Sequence, residues 1–136
     1  MIRKAVVADI PQLVELGRRF HAAKQDLYPF VAEDTANFFA GLLAAPNAPF
    51  FVSEKGFICG QLSGAPSNAS YITAFEFFWW SEDRSGLRLL DAFEAEAKEL
   101  GAHDVHLSHP VEELGVAKIV KRRGYAPLGK IHRKEL

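Results

Sequence analysis

The sequence predicts an α/β domain spanning residues 1–136, with a mixed sheet of six or seven strands flanked by four helices. Three observations predict it. Short apolar, β-rich runs and amphipathic segments follow one another in the order β-α-α-β-β-β-α-β-α-β, the last β region having room for one or two strands. The longest strand candidate, Tyr71–Trp80, is apolar on both faces, as a central strand covered on both sides requires. At Ser81–Arg88 that strand gives way, through a short acid–arginine–glycine turn, to a helical period.

Residues 2–8 are short and β-branched enough for a first strand. Asp9 is placed to cap the first helix, with Gln12 as its capping-box partner and Pro11 in the first turn. Ile10, Leu13, Val14, Leu16, Gly17 and Phe20 fall on one face of that helix, and QDLYPF breaks it at Pro29. A second helix opens near Glu33 or Asp34, carries Phe38, Phe39, Leu42 and Leu43, and stops at Pro46-Asn47-Ala48-Pro49. Phe50–Ser53 and Phe57–Leu62 read as a hairpin joined by Glu54-Lys55-Gly56, with Gly56 expected at φ > 0.

The loop Gly64–Asn68 leads into Tyr71–Trp80. From about Arg84 to Leu100 the chain is helical, with Leu90, Phe93, Ala97 and Leu100 on one face and Gly101 at the stop position. Val105–His109 is a short strand closed by Pro110. Val111–Arg123 is the last helix; Glu112 and Glu113 at its start and Lys121, Arg122 and Arg123 at its end complement the helix dipole, with Gly124 just beyond. Tyr125–Leu136 supplies one or two final strands.

Composition narrows the class of protein. Hydrophobic residues at 49% and charged residues at 24% are ordinary for a globular chain, and eleven phenylalanines predict an aromatic core. The net charge of −1 gives no overall attraction to nucleic acid or anionic membrane. A single cysteine, Cys59, excludes an intrachain disulfide and a cysteine-based metal cluster; as a small residue in a β run it reads as core. No apolar stretch reaches the roughly 18 residues of a membrane span. MIRKAVVADIPQL lacks the apolar region and cleavage site of a signal peptide, so a cytoplasmic location is expected.

A strand that feeds directly into a helix aims the helix's free N–H groups and positive dipole end at one place, and such places bind anions. Gly86 would admit a phosphate close to the backbone, while Arg84 and Arg88 would add charge-assisted hydrogen bonds. The alternative is that Ser81-Glu82-Asp83 simply caps the helix and the arginines are solvated. Within AFEFFWW, Glu76 is the one ionisable group; a carboxyl there is expected to be desolvated, with its pKa raised toward that of a general base. His103, His106 and His109 invite a metal reading, but alternation along a strand puts His106 on the opposite face from the other two, so no metal site is expected.

The element order, the strand–arginine/glycine turn–helix and the closing helix followed by Gly124-Tyr125 resemble the GNAT superfamily of acyl-CoA-dependent N-acetyltransferases; FFWW and the short turn look most like its compact, phage-type members. The resemblance implies acetyl-CoA as cosubstrate, no metal, and direct transfer of an acetyl group to an amine without a covalent enzyme intermediate. In the family, a turn of pattern R/Q-x-x-G-x-G/A cradles the CoA pyrophosphate. Here Arg84-Ser85-Gly86-Leu87-Arg88 occupies that place in shortened form, and two registers are open: Arg84 matches the family's arginine, or it falls where the first glycine should be, with Gly86 as the second. The resemblance further implies that the strand at Trp79 and Trp80 runs beside the pantetheine arm and that Glu76 acts as base.

The family's usual acid is a tyrosine, and its position here holds Val120, while the asparagine often found seven residues earlier is replaced by Glu113. Ser108, His109 and Tyr125 are the nearest substitutes. These departures leave a second reading open, a GNAT-fold module that binds CoA or a protein partner without turnover. Seven of the sixteen basic residues lie in the last nineteen positions: Lys118, Lys121, Arg122, Arg123, Lys130, Arg133 and Lys134. They read first as a solvated helix end, second as a clamp for the CoA 3′-phosphate, and third as a nucleic-acid face. The acceptor amine is expected near Asp26–Phe30 and Ala65–Tyr71, and an exposed C-terminal edge strand would suit a homodimer.

Overall fold

The computed structural model describes residues 1–24, 27–110 and 113–136. Its elements are β1 (Arg3–Lys4), α1 (Ile10–Lys24), α2 (Ala32–Ala44), β2 (Phe50–Val52), β3 (Gly56–Ala65), β4 (Asn68–Ser81), α3 (Gly86–Glu99), β5 (Asp104–His106) and α4 (Leu114–Arg122), with a 3-10 turn at Val7–Asp9. The strands lie in sequence order in one sheet, antiparallel from β1 to β4 and parallel between β4 and β5. Among the described residues the expected α/β mixed sheet and four helices are present, with five strands rather than six or seven.

The missing strands lie at the C-terminus, where 123–136 forms none. Pro127 and Gly129 interrupt that segment, and its apolar residues find no core: Leu128 is 80% and Ile131 94% exposed. At the other end, Val6 turns the chain into the 3-10 helix after two paired residues. Asp9 does not use Gln12 as a capping partner; its carboxylate accepts from the Val6 N–H at 2.8 Å and pairs with Arg3, while Gln12 donates to the Glu54 carbonyl. Gly56 is not at positive φ. Glycine is needed there because an added Cβ would lie 2.8 Å from the Trp80 carbonyl oxygen. Gly101 and Gly124, at φ 97° and 91°, do end α3 and α4 as expected. Val111 and Glu112, expected at the start of α4, lie outside the described residues.

Two cores sandwich the sheet. Leu13 and Leu16 of α1 and Phe39 and Leu42 of α2 pack with Phe50, Val52, Phe57 and Cys59. Phe39 lies 5.5–5.6 Å, ring to ring, from Phe50, Phe57 and Phe78, so the aromatic core is real and edge-to-face. Across the sheet, Leu89, Leu90, Phe93 and Ala97 of α3 pack on Ile58, Leu62 and Ala74. No helix among the described residues is long and apolar enough to cross a membrane.

β4 and β5 stay together only over Thr73–Phe75 and Asp104–His106. β4 continues to Ser81 while β5 ends, so the sheet parts beyond Phe75. Ligands of open α/β sheets bind in such crevices at the carboxyl ends of strands.

Candidate active site

The parting of β4 and β5 coincides with a β-bulge. Cys59 pairs with Phe78 and Gly60 with Glu76, leaving Phe77 without a partner. The extra residue resets the alternation: Ile72 and Ala74 below it and Trp79 above it pack in the α3 core, whereas Phe78 and Trp80 pack in the α1/α2 core. Gly60 is required here, because a Cβ would sit 2.0 Å from the Phe75 carbonyl oxygen.

A cleft of about 810 Å³ opens at this point. Its wall brings together Glu76, Trp79, Trp80, Ser81, Arg84, Gly86, Leu87, Ser108 and His109, most of the residues the sequence singled out. Ser85, Arg88 and Tyr125 are not part of that wall.

Glu76 is 8% exposed, and its one hydrogen bond among the described residues comes from the Ser108 N–H at 3.3 Å. Burial pushes its carboxyl pKa up to about 7, and the Ser108 N–H offsets this only in part. A carboxyl poised near neutrality within a cleft is suited to taking a proton.

The turn after β4 is held by Asp83. Its carboxylate accepts from the Ser53 hydroxyl at 2.9 Å, the Lys55 N–H at 2.9 Å, the Ser81 hydroxyl at 3.0 Å, and both N–H and hydroxyl of Ser85. Burial works to raise the Asp83 pKa, but the hydrogen bonds from Ser85, Lys55, Ser53 and Ser81 hold it well below the usual carboxylate range. Ser85 is fully buried, and its hydroxyl oxygen lies 2.7 Å from that of Ser53, so it braces the turn from inside. Glu82, which by charge alone would oppose an anion here, is engaged by Arg19 at 2.7 Å and by the Trp80 indole N–H at 2.9 Å.

The same turn puts Arg84 at φ 61°, a left-handed conformation that glycine favours. The first intrahelical bond of α3 runs from the Leu89 N–H to the Ser85 carbonyl, so the N–H groups of Gly86, Leu87 and Arg88 precede any intrahelical acceptor. Trp79 donates its indole N–H to the Gly86 carbonyl at 2.9 Å, fixing the strand against the helix start. Arg84 and three free N–H groups make this end of the cleft electropositive; Arg88 stands exposed in the first turn.

Two wall residues are joined in a way the sequence does not signal. Lys24, the last residue of α1, reaches over the Trp80 ring, 5.7 Å from its centroid, and pairs with Glu113 at the start of α4. The pair joins positions 89 apart in sequence, which no local pattern reveals. Of the loops expected to hold an acceptor, Leu27 lines the cleft, Ala65–Tyr71 does not, and Asp26 lies outside the described residues.

The remaining candidates sit elsewhere. Tyr125 donates its hydroxyl to Glu94, and burial followed by the Glu94 hydrogen bond raises its pKa well above the usual phenol range. Val120 is buried and apolar. His103 accepts the Ile72 N–H at 3.0 Å, and the His106 ring nitrogen lies 3.4 Å from Asp104. No group of three His, Cys, Asp or Glu among the described residues could hold a metal. The Cys59 thiol is buried, which raises its pKa.

Neither a family model nor a curated protein matches the sequence. Solved structures do match in shape. A structure described as a predicted acetyltransferase with acetyl-CoA, from Clostridium acetobutylicum, is 18% identical with a TM-score of 0.79, covering 99% of this chain and 95% of that one. An aminoglycoside acetyltransferase from an uncultured soil metagenomic sample is 15% identical with a TM-score of 0.73, covering 100% and 95%. A ribosomal-protein-alanine N-acetyltransferase from Brucella melitensis is 13% identical with a TM-score of 0.70, covering 100% and 99%. At these identities the likeness establishes architecture: the chain has the fold of the GNAT acetyltransferases.

Proposed function

We propose that the protein is an acyl-CoA-dependent N-acetyltransferase that moves an acetyl group from acetyl-CoA directly to an amine. The observation that carries this reading is one cleft holding both a buried carboxyl with its pKa near 7, Glu76, and an electropositive helix start with Arg84. The first is what deprotonating an ammonium needs; the second is what binding a pyrophosphate needs.

In the proposed reaction the pyrophosphate lies on the N–H groups of 86–88 with Arg84 beside it, and the pantetheine arm follows β4 at Trp79 and Trp80. The acceptor gives a proton to Glu76, through a water, and its nitrogen attacks the thioester carbonyl carbon. A C–N bond forms and the C–S bond breaks; the attacking nitrogen sheds its second proton, and the leaving thiolate takes one up, so the amide and the thiol both end neutral. Ser108, whose N–H already touches Glu76, is the hydroxyl in the cleft wall nearest to that role in sequence and in contact. The left-handed backbone of Arg84 favours the register in which it stands at the family's first glycine position, with Gly86 as the second.

Val120, buried where the family's acid would stand, is the observation that favours the second reading, a CoA-binding module without turnover. Calorimetric titration with acetyl-CoA and with CoA, repeated on R84A, tests the cofactor half of both readings. Saturable binding that weakens in the variant is expected; no binding at millimolar cofactor sinks them together. E76Q then separates the two, since only an enzyme has turnover to lose.

A further inference from the structure

The cleft already contains an alkylammonium group, that of Lys24. Its side chain is 21% exposed, its charge faces the Trp80 ring, and it pairs with Glu113. Trp80 is a fixed platform: its indole N–H donates to Glu82 at 2.9 Å, Glu82 is held by Arg19, and Phe20 packs edge-on at 6.2 Å. Glu113 stands at the N-cap position of α4, yet its carboxylate caps no helix N–H. The carboxylate is thus turned away from its own helix, and what it holds is an ammonium. A carboxylate and an indole face are together a recognition site for such a cation.

Glu76 is the second carboxyl in the same cleft, and it lies in the opposite environment. Buried and close to neutral, it suits an amine that must lose its proton, whereas Glu113 suits one that keeps its charge. Along β4 from 76 to 80 the strand advances roughly 13 Å, somewhat less across the bulge. The same wall carries the apolar residues Leu27, Val116 and Ile119. Two nitrogens separated by a linear apolar spacer match this wall, and the polymethylene stem of Lys24 occupies its cationic end in just that way.

Resting on the acetyltransferase reading, we infer that the acceptor is a linear polyamine. One ammonium displaces Lys24 from between Glu113 and the Trp80 face, and a second amino group is presented to Glu76 for acetylation.

The test is calorimetric binding of spermidine and of n-hexylamine, without acetyl-CoA, to the wild type, E113Q and K24M. Spermidine should bind the wild type more tightly than the monoamine. E113Q should lose roughly tenfold or more in spermidine affinity, as expected for one charge-assisted contact, and fall to the monoamine level. K24M, lacking the internal competitor, should bind spermidine more tightly than the wild type. Spermidine binding that is indifferent to E113Q, or no tighter than that of hexylamine, overturns the inference. A parallel acetyl-CoA titration keeps the two failures apart. Cofactor binding without spermidine binding removes the polyamine alone, whereas Glu113-dependent spermidine binding without cofactor binding leaves the ammonium site and removes the transfer.

Discussion

Where β4 and β5 part, the Ser108 N–H meets the Glu76 carboxylate at 3.3 Å. This contact spans the mouth of the opening between the strands, and among the described residues it is the only protein hydrogen bond to a carboxyl that is otherwise desolvated. The site chemistry and its pH dependence both follow from that balance.

Glu76 should set the acid limb of the rate profile. With its pKa near 7, the free-base form grows as pH rises through neutrality, so kcat/KM for an amine should climb with pH and level off above about 8. E76Q should lower kcat by about a hundredfold or more while leaving acetyl-CoA affinity within about twofold. Turnover that survives E76Q intact removes Glu76 as the base.

The same carboxyl should make folding stability fall with pH. Its folded pKa of about 7 lies above the unfolded value of 4.5, so the native state binds more protons between the two. Stability is therefore unaffected by this group below the unfolded value, declines as pH rises from about 4.5 to 7, and stays lower above. A shift of this size is worth roughly 3 kcal/mol at most. Denaturant melts of the wild type and E76Q across pH 4 to 9 should show the decline in the former and its loss in the latter.

Arg84 offers a way to separate backbone from charge. At φ 61° a non-glycine residue is strained by about 1 kcal/mol, and R84G should recover part of this as a higher melting temperature. R84A should gain nothing, having the same Cβ. Both should weaken CoA binding, by about tenfold, through loss of the guanidinium. Equal stability for the two variants would argue against the left-handed geometry.

Much of this site was legible, and the exceptions have a common cause. Glu76 stood out because a lone acid in AFEFFWW has few fates, and the strand-to-helix turn was visible as a change of period. The roles of Asp83 and Ser85 were not: they bond Ser53 and Lys55, about thirty positions away, whose arrival depends on how β3 pairs with β4. The pairing of Lys24 with Glu113 was hidden for the same reason. The final strands failed differently, since Leu128 and Ile131 had β-like character but no partner to bury them.

Asp83 should prove to be the fastening of the turn. D83A removes an acceptor of hydrogen bonds from four residues, one of them the backbone N–H of Lys55, and should cost about 2–3 kcal/mol. Its folded pKa lies below the unfolded 3.8, so its contribution is present above the unfolded value and lost as pH falls through the folded one. Acid titration of unfolding should accordingly show the wild type and D83A converging below pH 4. Because the carboxylate holds Ser85 and hence the α3 start, CoA affinity should fall together with stability.

Gly60 tests whether the bulge carries the site. A Cβ there would come within 2.0 Å of the Phe75 carbonyl oxygen and 2.8 Å of the Phe93 ring, the first being backbone that has no room to yield. G60A must therefore shift β3 away from β4 where Glu76 pairs with it, or slip the bulge by one residue. Either outcome should cost about 3 kcal/mol or more, as overpacking of a rigid core does. A slipped bulge would also exchange the faces on which β4 places its side chains, moving Glu76 out of the cleft. The variant should thus lose amine turnover even at temperatures where circular dichroism shows it folded. A G60A protein as stable and as active as the wild type would mean that the register across Gly60 and Glu76 is not the one described.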